Sequence, residues 1–483
     1  MHNSISVGLV LLMLSGCTVI GPDYFRPQVA VPANWSISYE AAADAIDSAW
    51  WQQFDDPVID ELISTALTNN LDLKAAVARV DRYLGQLRTT RSEYFPQIGV
   101  SVSGFRQDDS DTATAAANGP YSYYQGAFNA SWELDLWGRV RRLNESAQAE
   151  LLASEAGRRS VLLSLVSSVA RNYLVLRGLD RQLEIARETA KAYNESLRIF
   201  QLRHKYGTVS ALEVSQIESE YENAVQAIPR LESQVAQQEH LLSLLLGQNP
   251  GRIPRGKVID DLVVPGIPAG LPAELLQQRP DIIEAEQNLI AANARIGVAR
   301  ALYFPSVSLT GALGVASVDA DLLFDGSSQA WQLGGDLFGP IFTFGAIEGQ
   351  VMISEAAQRE ALYRYQQSII SGFREVEDAL VATTKGRERQ IAQERRTQAL
   401  KNYSRLATYQ YEAGTTSYLQ VLDANRSLFS SQLDYVQTQT EAFTSLIDVY
   451  RALGGGWVNE ADRMSGQSGS ATDAADPAAT EEG

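Results

Sequence analysis

The chain has 483 residues, of which 45% are hydrophobic and 20% are charged, a composition typical of an ordered protein. Its net charge of −18 argues against a nucleic-acid-binding surface, because phosphate binding needs a high density of basic side chains. The three histidines, His2, His204 and His240, are too scattered to form a metal site or a Ser-His-Asp set. The sequence has no P-loop motif. We therefore predict no enzymatic activity, no catalytic residue, no metal site and no cofactor.

A short apolar run, residues 5–14, precedes the stretch Leu14-Ser15-Gly16-Cys17. The run is too short to cross a bilayer and is typical of a secretory signal peptide. The residues before Cys17, the only cysteine, resemble the lipobox of bacterial lipoproteins. That resemblance implies cleavage after residue 16, lipid attachment to Cys17 and, with Thr18 next, sorting to the outer membrane. The alternative is a plain signal peptide followed by an incidental cysteine.

The chain repeats itself. The repeated features are the triplets Tyr94-Phe95-Pro96 and Tyr303-Phe304-Pro305, 209 residues apart, and the glycine pairs Gly138 with Gly345 and Gly207 with Gly414, each 207 residues apart. An offset kept this closely along the chain indicates a tandem duplication. Each half is predicted to contain, in order, a helix, two strands, a long helix and a further helix.

The long helix of each half is predicted over 138–206 and 345–412. In the first of these, apolar residues follow one another at alternating steps of three and four: Leu176, Leu179, Leu183, Ala186, Ala190, Tyr193, Leu197 and Phe200. This heptad spacing indicates helices that lie nearly parallel and interdigitate their side chains. At 1.5 Å per residue each helix would be roughly 100 Å long. A helix of that length must pack against others of similar length.

Strands are predicted at 97–105 and 124–137 and again at 306–316 and 330–342. Apolar and polar residues alternate along them, as is typical of membrane β-barrel strands, although a half-buried soluble sheet alternates in the same way. The long polar loops 106–122 and 317–329 favour the membrane interpretation. No stretch after the signal peptide suits a transmembrane helix, so a spanning part would consist of strands. Because four strands cannot close a barrel, we predict three copies and twelve strands.

These patterns predict the following boundaries. The segments are a signal peptide 1–16, a lipidated extended segment 17–56, a first repeat 57–247, an inter-repeat segment 248–272, a second repeat 273–453 and a disordered tail 454–483; the remaining helices are 57–95, 210–246, 273–303 and 417–453. Trp50, Trp51 and Phe54 are predicted to anchor the chain before the first helix, and Pro57 suits the first turn of that helix. The tail is rich in Gly, Ser, Ala and acidic residues.

Several motifs resemble one known family. They are Gly21-Pro22-Asp23-Tyr24 after the lipobox, the stretch 132–138 (Trp-Glu-Leu-Asp-Leu-Trp-Gly), Arg279-Pro280-Asp281, the two Tyr-Phe-Pro triplets, the stretch 373–380 (Phe-Arg-Glu-Val-Glu-Asp-Ala-Leu) and the stretch 414–426. Together, in this order and over nearly the whole chain, they resemble the TolC-like outer-membrane factors of tripartite efflux systems, in their lipoprotein branch.

The resemblance implies a mainly α-helical protein that forms a homotrimer, with a twelve-stranded barrel in the outer membrane and a long α-helical barrel in the periplasm. It further implies a passive exit duct for drugs or other small molecules, which docks a periplasmic adaptor protein bound to an inner-membrane RND-type pump. One alternative within this architecture is the outlet of a type I protein-secretion system. Another is a periplasmic coiled-coil scaffold with a soluble sheet.

Two tight turns follow the long helices. Gly207 and Gly414 stand where a helix end needs a positive φ, and capping boxes are predicted for Ser210 with Glu213 and for Ser417 with Gln420. On these residues alone the turns are helical hairpins and nothing more. The resemblance implies that the tips dock the adaptor, through Gly207, Thr208, Ser210, Gly414, Thr415 and Ser417.

The resemblance also implies a periplasmic gate beside these tips. Asp423 matches a constricting ring of carboxylates, which would favour cations; the alternative is a surface aspartate paired with Arg426. Leu419 would add an apolar girdle, or else be a core leucine, and Gln420 stands at a second, acidic ring position of the family. Tyr411 and Glu213 match residues that hold neighbouring hairpins together, although Thr416 replaces an arginine of that latch.

Overall fold

The computed structural model of the chain describes residues 19–29, 31–32, 35–36, 41–42, 49–108, 119–268 and 275–454. The predicted signal peptide, the lipidation site Cys17 and residues 455–483 lie outside the described residues. The chain forms two compact units. We call the described residues within 1–29, 78–155 and 284–367 the sheet unit, and those within 30–77, 156–283 and 368–483 the helical unit.

The two halves of the chain contain the same succession of elements. The first half consists of α1 (Pro57–Asn69), α2 (Leu71–Ser92), β1 (Gln97–Gln107), β2 (Tyr121–Leu134), α3 (Arg139–Lys205) and α4 (Ala211–Leu245). The second consists of α5 (Leu275–Gln278), α6 (Pro280–Ala301), β3 (Ser306–Ser317), β4 (Gln329–Phe338), α7 (Ala346–Glu412) and α8 (Tyr418–Ala452). The long helices α3 and α7 have 67 residues each, and α4 and α8 have 35 each. These matched lengths confirm the tandem duplication.

The predicted single helix 57–95 is wrong, because the chain leaves the helix at Asn70. Its ψ of 131° is that of extended backbone, and its side-chain oxygen accepts a hydrogen bond from the Leu73 N–H at 2.9 Å, which caps α2. Its side-chain amide also donates to the carbonyl of Leu245 at 2.9 Å. This second bond satisfies a terminal carbonyl of α4, so the break serves a contact between the first and last helices of the half.

The second half breaks at the equivalent residue, Arg279, where a continuous helix 273–303 was predicted. The following residue is Pro280, which disfavours helical backbone at the residue before it. The buried guanidinium of Arg279 donates to the carbonyl of Ala452, at the end of α8, at 2.8 Å. It also pairs with Asp281 and Glu375 at 2.7 and 2.8 Å. Each half therefore closes its last helix onto its own first helices by a side chain at the same position.

The core of the helical unit contains the predicted heptad seam. Of its eight residues all but Leu179 are buried, which confirms the helix-packing prediction. Trp50, Trp51 and Phe54 are fully buried, and the Trp50 ring stacks on Tyr450 at 5.0 Å. Each such side chain contributes about 1.5–3 kcal/mol by burial. None of the described helices is long and apolar enough to cross a membrane.

The sheet unit contains one four-stranded antiparallel sheet in the order β1-β2-β3-β4. Strand β2 ends at Leu134 rather than at the predicted 137, because Asp135 turns away to cap α3: its carboxylate accepts from the N–H groups of Val140 and Arg141, both at 3.0 Å. Strand β4 likewise ends at Phe338 instead of 342. At the other end, β1 and β2 extend further than predicted, to the pair Gln107 and Tyr121.

Residues 19–26, which follow the lipobox, are held to the sheet unit by buried charged side chains. Arg142 is buried and donates to the Ile20 carbonyl and to the Asp23 carboxylate, the latter at 2.7 Å. Glu286, also buried, accepts from the Tyr24 hydroxyl at 3.1 Å and from Arg26 at 2.6 Å. Buried charges are strongly destabilising when one partner is removed, so these pairs fix this segment in place.

Candidate functional site

The turn between α3 and α4 is built around Gly207, whose φ is +76°. The Gly207 N–H donates to His204 and the Thr208 N–H to Arg203, at 2.9 and 3.0 Å, so the last carbonyls of α3 are satisfied. The Thr208 hydroxyl adds a second bond to the same Arg203 carbonyl at 2.9 Å. Helix α4 then starts at once with the predicted capping box of Ser210 and Glu213. The result is a narrow hairpin tip, which we call tip 1 (residues 203–213).

The turn between α7 and α8, tip 2 (residues 410–420), repeats this construction with one difference. Gly414 has a φ of +74°, and both the Thr415 N–H and its hydroxyl donate to the Gln410 carbonyl, at 2.9 and 3.0 Å. The predicted capping box at Ser417 is wrong: its side chain makes no capping hydrogen bond. The residue three positions on is Gln420, which lacks the negative charge that draws the Glu213 carboxylate to helix N–H groups.

Aromatic rings join the two tips. The Phe200 and Tyr418 ring centroids lie 4.2 Å apart, and the Tyr411 ring lies 5.0 Å from that of Tyr418. The Arg203 guanidinium lies 5.7 Å from the Phe200 ring centroid and donates to the Tyr411 hydroxyl at 3.3 Å. Such aromatic and cation–π pairs contribute about 0.5–1.5 kcal/mol each. We call Phe200, Arg203, Tyr411 and Tyr418 the aromatic clasp.

Sequence reasoning found Tyr411 but missed Arg203 and Tyr418 as members of this site. The repeat offers a signal that could have found Tyr418, although not Arg203. Counting 207 residues along, Phe200 corresponds to Ala407, and Tyr418 corresponds to Ala211. The rings are therefore present in one half and absent from the equivalent position of the other, as expected for residues that bridge the two hairpins instead of supporting each hairpin alone.

The structure does not bring Tyr411 and Glu213 together within one chain. The Glu213 carboxylate is occupied by tip 1 itself, where it accepts from the Ser210 N–H and hydroxyl at 2.8 and 3.0 Å. The Tyr411 hydroxyl instead accepts from Arg203. These bonds use only the Oε2 atom of Glu213 and leave the Tyr411 proton to donate, so they are compatible with a bond between the two residues on neighbouring hairpins.

Asp423 lies on the exposed side of α8, one turn from Arg426, whose guanidinium donates to it at 2.9 Å. The same guanidinium lies 4.0 Å from the Glu220 carboxylate of α4. Leu419 and Gln420 are exposed on the same helix. These side chains line an open cleft of about 510 Å³ formed by Gln216, Ser219, Glu220, Tyr403, Leu419, Gln420, Leu422, Asp423 and Arg426. The cleft thus contains two carboxylates and one guanidinium, a net acidic surface.

The tyrosines behind this surface remain neutral. Burial raises the pKa of the Tyr193 phenol, and the nearby Glu220 carboxylate adds to the shift. Burial also raises the pKa of Tyr418. Because an ordinary tyrosine already titrates near 10, neither ring carries charge in the physiological range. The acidic character of the cleft therefore comes from Asp423 and Glu220.

The sequence model of the family described as "Outer membrane efflux protein" matches residues 62–248 and again residues 271–455, once in each half. The chain belongs to this family. Two curated relatives are the probable efflux pump outer membrane protein TtgC of Pseudomonas putida, 36% identical over 96% of this chain and 97% of the relative, and the cation efflux system protein CusC of Escherichia coli, 36% identical over 93% of this chain and 97% of the relative.

Solved structures of outer-membrane channels have the same fold. The Campylobacter jejuni CmeC outer membrane channel superposes with a TM-score of 0.88 at 26% identity, over 93% of this chain and 99% of that one. A crystal structure of CusC gives a TM-score of 0.82 at 34% identity, over 91% of this chain and 100% of that one. The chain is an outer-membrane efflux channel protein with the mainly helical, duplicated fold predicted for that family.

Proposed function

We propose that three copies of this chain form the passive exit duct of a tripartite efflux pump. The observation that carries the proposal is an open sheet of four strands in a protein of an efflux-channel family. Four strands are too few to enclose a pore, whereas twelve are enough. The duct performs no catalysis, so the energy for export comes from an inner-membrane RND-type pump, reached through a periplasmic adaptor.

The tips form the periplasmic end of this duct in the proposal. Gly207, Thr208 and Ser210 of tip 1, with Gly414, Thr415 and Ser417 of tip 2, contact the adaptor. Asp423, Leu419 and Gln420 line the constriction beside them. Three copies of the acidic cleft would surround one axis, and a ring of carboxylates favours cations. Tyr411 and Glu213 would hold neighbouring hairpins together in the closed duct.

Lipid attached to Cys17 would anchor each copy. Support comes from the tight docking of residues 19–26 by Arg142 and Glu286. Val19, the second residue after Cys17, lies at the start of this docked segment. Several acyl chains give stable attachment to a membrane where one does not.

Extraction and conductance measurements test the proposal. We expect the protein to leave isolated outer membranes only with detergent and to conduct ions in a planar bilayer as a trimer. A water-soluble, non-conducting protein would instead indicate a periplasmic scaffold. The names of the relatives favour efflux over protein secretion, and loss of small-molecule resistance without loss of a secreted protein on deletion of the gene would support that choice.

A further inference from the structure

One stretch of helix α7, residues 385–405, is strongly basic in an otherwise acidic protein. It contains seven basic and two acidic residues, whereas the whole chain has a net charge of −18. The equivalent stretch of α3, residues 178–198, contains four basic and four acidic residues. The two halves have kept the same long helix but not its charge, so the basic charge of α7 is not needed to build the helix.

Four of the seven cations in this stretch are exposed and form no ion pair within the described part of the chain. The other three pair with carboxylates, at distances of 2.7 to 3.4 Å. We call the four unpaired residues the basic flank: Arg387, Arg395, Lys401 and Arg405. Exposed cations without an acidic partner raise the local positive potential and attract anionic ligands.

The basic flank lies on the part of the α7 surface that does not face α8. The side of α7 that faces α8 is marked by Gln393 and Thr397, whose side chains donate to the Ser431 carbonyl of α8 at 3.1 and 3.2 Å. At about 100° per residue, the four cations lie about 60–180° around the helix from the middle of this row. They can therefore contact a molecule outside the chain without disturbing the packing of α7 on α8.

The neighbours of the four cations favour a hydrated anionic polymer over a packed protein partner. The same part of the helix surface presents the exposed polar residues Gln398 and Asn402, the acidic residue Glu394 and one apolar residue, Ile391, 41% exposed. A protein interface generally has an apolar core, which this surface lacks. The cations are instead spread over about 27 Å of helix. Their spacing suits a chain molecule that carries negative charge at intervals, and the guanidinium group matches the geometry of a carboxylate.

We propose that the basic flank binds the carboxylate groups of peptidoglycan. The peptide stems of this polymer carry carboxylates at intervals along each glycan chain. The inference rests on the proposed function, which places α7 in the periplasm, where peptidoglycan lies. The basic flank then extends from roughly 60 Å to roughly 90 Å along α7, counted from Ala346. The contact would hold the duct to the cell wall in addition to its attachment to the membrane.

Co-sedimentation with isolated sacculi tests the proposal. We expect the purified trimer in detergent to sediment with sacculi and a variant without the basic flank to bind about tenfold more weakly or less, because each exposed charge contact is weak and four are removed. That variant is Arg387→Gln/Arg395→Gln/Lys401→Gln/Arg405→Gln. The matched control removes four exposed cations of α2 and should bind as the wild type does: Lys74→Gln/Arg79→Gln/Arg82→Gln/Arg88→Gln.

The chemistry of the ligand is tested with modified sacculi. Amidation of the peptide-stem carboxylates should abolish binding of the wild type, and raising the salt from about 0.05 M to about 0.5 M should weaken it, since salt screens exposed charges. Equal binding to native and amidated sacculi would overturn the proposal. Equal binding of the two quadruple variants would also overturn it.

Lys401 allows a direct test in cells. A carbodiimide joins an amine to a nearby carboxylate with loss of water, so treated cells should yield a peptide containing Lys401 that carries a peptidoglycan stem after muramidase digestion. Lys401→Arg keeps the positive charge and should keep binding to sacculi while losing this cross-link. A stem on Lys74 but not on Lys401, or on neither lysine, would overturn the proposed contact.

Failure of this contact and failure of the duct can be told apart. The mass, melting temperature and conductance of the quadruple flank variant should equal those of the wild type. A lower trimer content would show that the basic flank joins copies of the chain, and loss of adaptor binding with unchanged binding to sacculi would show that it binds an acidic protein. Either result would overturn the peptidoglycan contact and leave the duct standing. A monomeric, non-conducting wild type would overturn the duct itself.

Discussion

At the residue scale, the charge near the proposed constriction depends on one exposed ion pair. Arg426 donates to Asp423 at 2.9 Å, so each chain presents a carboxylate together with the cation that partly offsets it. We expect Asp423→Ala to lower the preference of the channel for cations and Arg426→Gln to raise it. Reversal potentials in a bilayer under a salt gradient measure both effects.

Neither substitution should change folding appreciably, because an exposed pair one helical turn apart contributes only about 0.2–0.5 kcal/mol. Thermal unfolding of both variants checks this. Equal reversal potentials in the wild type and in both variants would contradict the constriction at Asp423.

Tyr411 gives a second prediction at this scale. Its hydroxyl accepts from Arg203, and in the proposed gate it also meets a neighbouring hairpin, so Tyr411→Phe should make the closed channel leak while keeping the stacked ring. Tyr409→Phe, an exposed tyrosine on the same helix, is the matched control. Vancomycin sensitivity of cells and basal conductance in bilayers would both rise for the first variant alone. A leak of the same size in both variants would rule out the proposed contact of Tyr411 with a neighbouring hairpin.

At the scale of one element, helix α3 contains two buried tyrosines whose hydroxyl groups differ in their hydrogen bonding. The Tyr173 hydroxyl donates to Asp56 and accepts from the Gly256 N–H, both at 2.9 Å, whereas the buried Tyr193 hydroxyl has no hydrogen-bond partner among the described residues. We expect Tyr173→Phe to cost about 1–3 kcal/mol of unfolding free energy, since it leaves buried polar groups unpaired. Tyr193→Phe should be neutral or slightly stabilising. Denaturant unfolding of the two variants makes the comparison, and a larger loss for Tyr193→Phe would contradict it.

Glycine has two different roles in helix α7 and the turn after it. Gly414 has a positive φ of +74°, so Gly414→Ala should cost about 1–2 kcal/mol from backbone strain. Gly386 lies inside α7, and a Cβ there would make only ordinary contact with Ser445, at 3.9 Å. Gly386→Ala should therefore stabilise the helix by about 0.5–1 kcal/mol. If Gly414→Ala and Gly386→Ala shifted the melting temperature in the same direction, these different roles of the two glycines would be refuted.

Local sequence patterns predicted those features of the helices and turns that depend on interactions between residues close together in the chain. The heptad seam, the positive φ of Gly207 and the capping box of Ser210 all follow from neighbouring residues. The break at Asn70 does not, because its amide bonds to Leu245, 175 residues away. The missing capping hydrogen bond of Ser417 does not follow from neighbouring residues either, because Ser417 with Gln420 fits the sequence pattern of a capping box.

At the scale of the molecule, the duplication could be predicted from recurring motifs, whereas the contacts between the halves could not. The aromatic clasp joins Phe200 and Tyr418, which stand at positions that the repeat does not preserve. Periodicity places each residue on a helix face but does not specify which helix it will meet.

Equal helix lengths keep tip 1 and tip 2 beside each other, which gives a prediction for the whole molecule. Deleting one heptad from α3 and the seven residues facing it in α4 would withdraw tip 1 by about 10 Å. That shift would separate Phe200 from Tyr418 and should abolish export. The same deletion made also in α7 and α8 realigns the tips and should restore the clasp. Dye accumulation in cells and the trimer content of membranes separate loss of function from loss of folding.

The closures at Asn70 and Arg279 have a consequence for the ancestry of the chain. In each half, a side chain near the start of the half forms a hydrogen bond with the end of the last helix of that half. A polypeptide of half this length would therefore already be a self-contained building block. Six such blocks would supply the same strands and helices as three full-length chains. Fusing them in pairs leaves the architecture intact and lets alternate blocks diverge, as the differing residues at the two hairpin ends have done.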